Sequence, residues 1–198
     1  EKIGVPVIRE FFTEDLGAKI SKSEKTADLV IGNNVLAHVP DVNDFVRGLK
    51  RVLKSQGTIT LEFPHLLNLM KYNQFDTIYH EHFSYFSLLA VETVLEKSGL
   101  KIYDVEELST HGGSLRIYAC HEDNTRKVSS NVATLINSEI EYGLTDLDTY
   151  RTFQESANKI KDVFLAFLIE KKLEGKKVVG YGAAAKGNTL INYAGVKP

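Results

Sequence analysis

Lys101 to His121 read KIYDVEELSTHGGSLRIYACH, and this stretch decides the fold. Two runs rich in β-branched and aromatic residues, KIYDVEEL and SLRIYACH, flank STHGG, and Gly-Gly is first of all a turn signal. Strands joined by so few residues must pair antiparallel as a hairpin. His111 stands just before the glycine pair, and the hairpin needs no function to explain it.

Working outward toward the N-terminus, a helix is expected from about Ser87 to Lys97, stopped by Gly99. Before it lies a long loop, and before that GTITLEF (Gly57 to Phe63), a strand ended by Pro64, which removes a backbone donor. Between Asp41 and Lys54, Val42, Phe45, Val46, Leu49, Val52 and Leu53 recur at helical spacing, with Gly57 just beyond the end. ADLVIGNNVL (Ala27 to Leu36) and VPVIREFF (Val5 to Phe12) are short apolar runs that suit buried strands. Strands alternating with helices in this way predict a parallel sheet covered on both faces, made mixed by the closing hairpin. Consecutive β-α units ending in such a hairpin resemble the end of the class I S-adenosylmethionine-dependent methyltransferase sheet. On that mapping VPVIREFF is its third strand, ADLVIGNN its fourth and GTITLEFP its fifth. The first two strands would then precede Glu1, together with the glycine loop and the acidic residue that hold the cofactor in that class. A piece with this gap is expected neither to fold natively nor to bind the cofactor well, since unpaired backbone would face the gap. The opening on Glu1 and the ending on NYAGVKP give the expectation of a chain cut at both ends.

After His121 the pattern turns helical, with a second, long helix expected from about Thr145 to Leu173 that places Tyr150, Phe153, Ala157, Ile160, Phe164, Phe167 and Leu168 on one face. GKKVVGYGAAAKGNTLINYAG (Gly175 to Gly195) then reads as strand, glycine loop and helix, the opening of a second β-α domain. The expected fold class is therefore α/β. It is a partial class I methyltransferase sheet, Rossmann-like and ending in an antiparallel hairpin, followed by helices and the start of a second Rossmann-like domain. Residues 1–121 form the first unit and residues 122–198 the helical segment with the truncated second domain.

The composition, 43% hydrophobic and 25% charged with four prolines among 198 residues, is that of a folded protein. With 24 basic and 26 acidic side chains the net charge is −2, which does not favour nucleic acid as a partner and suits a small molecule. Cys120 is the only cysteine, so an intrachain disulfide and a multi-cysteine zinc site are excluded within this sequence. No apolar run approaches the roughly 18 residues that span a bilayer. A cytoplasmic protein without a membrane partner is expected.

The densest cluster of chemistry is TIYHEHFSYFS (Thr77 to Ser87). His80 and His82 would share a face if the segment were extended, as a metal site needs, but the spacing is not HExxH and no third ligand is near. Tyr79 and His80 can also simply satisfy backbone groups. For acid/base chemistry the segment is well placed, because it follows the GTITLEF strand at the carboxyl edge where ADLVIGNN also ends. A histidine with an ordinary pKa near ~6.5 takes a proton near neutrality, and Glu81 beside it can raise its basicity or orient it. Asn33 and Asn34 end the ADLVIGNN strand, where amides either bind a ligand's polar groups or tie down the turn, with His38 as a lid or wall. Gly180, Gly182 and Ala185 have the spacing of a dinucleotide phosphate loop, with Lys186 available to a phosphate, and tight packing explains the small residues about as well.

Taken together, NNVLAHVPD, FDTIYHEHFSYFS, THGGSLRIYA and GYGAAAKGNTLINYAG, in that order, resemble the C-methyltransferases that act on nucleoside-diphosphate-linked 4-keto-deoxyhexoses. The resemblance covers nearly the whole chain. It implies S-adenosylmethionine as methyl donor, a nucleotide sugar as substrate, and zinc held only by an N-terminal domain that this sequence lacks. It places the proposed base on His82, with Tyr79 and Glu81 as partners. Cofactor contacts are expected from Asn33, Asn34 and His38, and substrate contacts from His111, Gly112, Lys186 and Asn188. The rivals are an O- or N-methyltransferase on the same scaffold, and a nucleotide-sugar binding module or NAD(P)-dependent oxidoreductase suggested by the glycine loop.

Overall fold

The computed structural model describes residue 4 and residues 6–23, 25–182 and 185–197. A helix that the sequence reading did not mark comes first. α1 (Glu14–Lys22) is capped by Thr13, whose hydroxyl accepts from Leu16 N–H at 3.2 Å, and carries Glu14 and Asp15 in its first turn. These are ordinary N-terminal helix signals. α2 (Val42–Val52) begins at Asp41, whose carboxylate accepts from Asp44 N–H at 2.9 Å. The two helices meet at a pair of glycines: a Cβ on Gly17 would stand 2.6 Å from the Gly48 carbonyl oxygen. Glu14 pairs with Arg47 at 2.6 Å and Arg51 at 2.8 Å across the same contact.

The sheet contains β1 (Ala27–Asn33), β2 (Leu53–Pro64), β3 (Leu100–Leu108) and β4 (Ser114–His121) in the order β1-β2-β4-β3. β1 and β2 are parallel, Val30 opposite Ile59 and Asn33 opposite Glu62, with α2 as their crossover. β4 runs antiparallel to both neighbours, setting Ile117 opposite Leu61 on one side and Val105 on the other. The hairpin thus forms as its sequence predicts, with β4 inserted between β2 and β3. β2 starts at Leu53, directly after α2, so Gly57 lies within the strand and does not terminate the helix.

Three further expectations are corrected. VPVIREFF is not a strand in its described residues, and Phe11 is 94% exposed. A strand needs a ladder partner, and the mapping put two other strands between this run and β1. Nor is the sheet covered on both faces among the described residues. Ile59, Leu61, Phe63, Leu115, Ile117 and Ala119 are buried beneath α2, α4 (Leu88–Lys97) and α5 (Ser130–Tyr142), while the intervening Thr58, Thr60, Arg116 and Tyr118 are only partly buried and Glu62, hydrogen-bonded to Arg116 at 2.8 Å, is the buried exception. Strict alternation in GTITLEF and SLRIYA is the pattern of a sheet with one covered face. Finally, residues 176–182 form no strand, and Val179 is 82% exposed. The same lack of a ladder partner applies, and Ala183 and Ala184 of the glycine loop lie outside the described residues.

The long helix appears as α6 (Leu147–Leu173), and the helix after the glycine loop as α7 (Ala185–Tyr193). The stretch read as a long loop contains a short helix, α3 (Leu66–Lys71). No helix among the described residues is long and apolar enough to cross a membrane.

Candidate active site

Both parallel strands end at one edge of the sheet. β1 closes on Asn33, and Asn34 takes a left-handed conformation, φ 53°, while its N–H donates to the Glu62 carbonyl at 2.8 Å. Both asparagine side chains belong to exposed residues at this edge, and the Asn34 backbone also ties down the turn. The chain then makes a short turn, Leu36–His38, anchored by the buried Leu36 and Ala37. β2 ends at Pro64 and leads into residues 65–87, the loop that holds the histidine cluster.

That loop is fastened to the β1 side by its backbone. Phe83 N–H donates to the Ala37 carbonyl at 2.8 Å, and Ser84 N–H to the same oxygen at 3.3 Å. His38 Nδ1 donates to the Glu81 carbonyl at 2.8 Å. These contacts bring His38, 44 positions earlier in the chain, to His82, with ring centroids 4.8 Å apart and edge-on. Tyr79 lies on another side of the His82 ring at 4.5 Å, and Tyr85 meets it edge-on at 5.8 Å.

His82 is oriented from within its own loop. Its N–H donates to the Tyr79 carbonyl at 3.0 Å, and its ring Nδ1 lies 2.9 Å from the Thr77 carbonyl oxygen. A carbonyl can only accept, so Nδ1 carries the hydrogen and the neutral ring keeps its lone pair on Nε2. Partial burial pulls the His82 pKa below the ordinary imidazole value. The Thr77 hydrogen bond opposes that shift, His38 and Lys186 add to it, and the Glu81 charge again opposes it. The ring is therefore neutral near pH 7 with Nε2 available, which is the state a proton acceptor needs.

Of the two roles expected of Glu81, the structure carries the charge effect that raises the basicity of His82. No hydrogen bond joins its carboxylate to His82 among the described residues; its side-chain charge acts through space, and its main-chain carbonyl fixes His38. His80 is exposed. No group of three or more His, Cys, Asp or Glu among the described residues could hold a metal ion.

A cleft of about 610 Å³ opens over the cluster, with Ile78, Tyr79, His80, His82 and Tyr85 on one wall. The other wall is the face of α7 carrying Ala185, Asn188, Thr189 and Asn192. Those positions fall at i, i+3, i+4 and i+7, one helical stripe. α7 is held there by Tyr193, whose ring meets Phe75 at 5.5 Å and whose hydroxyl accepts from Gln154 of α6 at 2.7 Å. Lys186 is close enough to influence His82. His111, with φ 54°, and Gly112 sit at the same sheet edge but outside the cleft wall, and the Gly112 carbonyl accepts from Gln74 at 2.8 Å. Sequence reasoning did not single out Tyr85, Thr189 or Asn192. The α7 stripe was readable from its spacing; the Tyr85 contact depends on how the loop folds.

The methyltransferase-domain family matches residues 6–105. The chain belongs to this family. Residues 109–198 match a second family, described as the C-methyltransferase C-terminal domain. The chain is 36% identical over 193 residues to the C-methyltransferase NovU of Streptomyces niveus, covering 98% of this chain and 46% of that protein. It thus spans less than half the length of that curated relative. Among solved structures it is similar to magnesium protoporphyrin IX methyltransferase (ChlM) of Synechocystis PCC 6803, solved with bound SAH, at 17% identity and a TM-score of 0.41 over 52% of this chain and 48% of that one. It is also similar to the mitomycin 7-O-methyltransferase MmcR, at 16% identity and a TM-score of 0.40 over 49% of this chain and 30% of that one.

Proposed function

We propose that this protein is part of an S-adenosylmethionine-dependent C-methyltransferase whose acceptor is a nucleoside-diphosphate 4-keto-deoxysugar, and that His82 is its base. The observation that carries the reading is the Nδ1 hydrogen bond from His82 to the Thr77 carbonyl, which leaves Nε2 bare beside an open cleft. Carbon methylation requires removal of a proton from carbon. A ketone makes the hydrogen on its neighbouring carbon weakly acidic, and Nε2 takes that proton while the electron pair moves toward the ketone oxygen. The imidazolium formed is supported by the Thr77 carbonyl and by the Glu81 charge, both of which favour the protonated ring. Tyr79, against the same ring, is the donor assigned to the ketone oxygen, where negative charge develops. His38 supports the ring edge-on.

The residues present fit one side of a methyl-donor site. The exposed amides of Asn33 and Asn34 stand at the carboxyl end of a parallel strand, where ligands of open α/β sheets bind, and are assigned to the cofactor with His38 as the wall toward the base. S-adenosylmethionine, when bound, supplies the electrophilic methyl group that the carbon nucleophile takes. Lys186 and Asn188 of α7 are assigned to the nucleotide sugar, Lys186 as a charge for phosphate, and His111 and Gly112 to its periphery at the same edge. A cytoplasmic setting accords with the buried free thiol of Cys120.

The test separates proton removal from methyl transfer. The full-length protein is incubated in D₂O with a nucleoside-diphosphate 4-keto-6-deoxyhexose, and deuterium at the carbon beside the ketone is followed by NMR. S-adenosylmethionine is then added and the product analysed by mass spectrometry and carbon-proton correlation. Exchange followed by a new carbon-bound methyl, both lost in His82→Gln, is the expected result. An O-methyl ether, or transfer to carbon undiminished in His82→Gln, overturns it.

A further inference from the structure

A buried carboxylate outside the cleft points to a residue that holds the base in place. Glu139 of α5 and His65 at the start of the 65–87 loop both have side chains with 0% exposure, and His65 Nε2 lies 2.8 Å from Glu139 Oε1. The same carboxylate accepts two backbone hydrogen bonds from the first turn of α4, from Leu88 N–H at 2.6 Å to Oε1 and from Leu89 N–H at 3.0 Å to Oε2. A carboxylate has no hydrogen to give, so it accepts all three hydrogen bonds and His65 Nε2–H is the donor of the third. His65 Nδ1 has no partner among the described residues.

These contacts sit on the two stems of one loop. His65 is its first residue, and α4 begins directly after Ser87, its last. Between the stems the backbone makes one bridge among the described residues, His65 to Phe86, with Leu66 N–H donating to the Phe86 carbonyl at 2.9 Å. His82 is four residues before that bridge. A carboxylate desolvated to this degree is strongly destabilising unless its hydrogen bonds are all made. Glu139 therefore fixes the spacing of the stems wherever it is satisfied.

We propose that Glu139 is a positioning residue for the reaction, fastening both stems of the 65–87 loop and so setting where His82 Nε2 stands. The inference rests on the reading of His82 as base. Glu139 also lies within the residues matched by the C-methyltransferase C-terminal domain, whereas His65 and His82 lie within those matched by the methyltransferase domain. One carboxylate thus couples the second matched region to the catalytic loop of the first.

Glu139→Gln, His65→Gln and His65→Leu are compared in the full-length protein. Backbone hydrogen exchange is read by mass spectrometry, alongside kcat and KM for methyl transfer. Glutamine at position 139 keeps the shape but loses the charge that strengthens three hydrogen bonds. It is expected to speed exchange at Leu88, Leu89 and residues 79–87 while β2 and β4 keep wild-type protection. kcat should fall about 10²-fold, the scale of a displacement of about 1 Å, with KM little changed. His65→Gln retains an N–H donor for Glu139 and is expected to restore most of kcat, whereas His65→Leu follows Glu139→Gln. Unchanged exchange over residues 79–89, exchange raised equally across β2 and β4, or His65→Gln as impaired as His65→Leu overturns the proposal. A wild-type protein without methyl transfer to a ketosugar counts against the proposed function alone, because the exchange comparison still decides whether Glu139 fastens the loop.

Discussion

Two stretches that the sequence marks for chemistry are held very differently. The aromatic and histidine-rich loop of residues 65–87 is tied to the sheet edge through the Ala37 and Gly113 carbonyls and to α5 through Glu139, and its own Thr77 carbonyl fixes the His82 ring. Residues 177–182, which carry Gly180 and Gly182, make no backbone hydrogen bond to the sheet among the described residues, and Tyr181 is fully exposed. Both are rich in signature residues, yet only the first has a ring, that of His82, fixed in tautomer and orientation. The difference lies in the partners. A ring becomes a usable base when fixed acceptors decide which nitrogen bears the hydrogen, and residue type alone does not decide this.

Removing the best-held group breaks the comparison most directly. His82→Gln should lower methyl transfer roughly 10²- to 10⁴-fold, the usual worth of a general base, with circular dichroism and thermal midpoint nearly unchanged. Loosening the opposite wall comes next: Tyr193→Ala removes the Phe75 ring contact and the Gln154 hydrogen bond that hold α7, and should raise KM for the nucleotide sugar about tenfold with less effect on kcat. A rise in KM below twofold would show that α7 is not a wall of the substrate site. A smaller effect is expected from pH. Because burial lowers the His82 pKa, deuterium exchange at the carbon should be lost only as pH falls below the ordinary imidazole value of ~6.5. Lys186→Gln removes one depressing charge, so the inflection should move upward in the pH-rate profile. Least of all is expected in the free stretch: Val179→Ser should change unfolding free energy by under about 0.5 kcal/mol in urea titration.

Much of the fold was legible because its signals are local. The closing hairpin follows from STHGG between two β-rich runs, and α2 from its apolar spacing. α1 carried readable signals too, Thr13 followed by Glu14 and Asp15, but its burial depends on the fit of Gly17 against Gly48, which are far apart in sequence. VPVIREFF and KKVVGYG have strand composition, and composition cannot supply a ladder partner. Of the residues singled out from the motifs, His82, Tyr79 and Asn188 line one cleft. The contact of the His38 ring with His82, made through the Glu81 carbonyl, was not legible, because it depends on how two distant segments meet. Glu139 gave no local signal, since an acidic residue inside an amphipathic helix ordinarily reads as solvated.

The one-sided burial of the sheet has a calorimetric consequence. Alternation leaves Thr58, Thr60, Arg116 and Tyr118 partly in water in the folded chain, so unfolding these strands uncovers less new apolar area than a doubly covered sheet of the same length. Both the denaturant slope and the heat-capacity increment of unfolding scale with newly uncovered area. These strands are therefore expected to give a shallower urea slope and a flatter stability curve than a doubly covered sheet, with slope and curvature both increasing in an assembly that covers their second face.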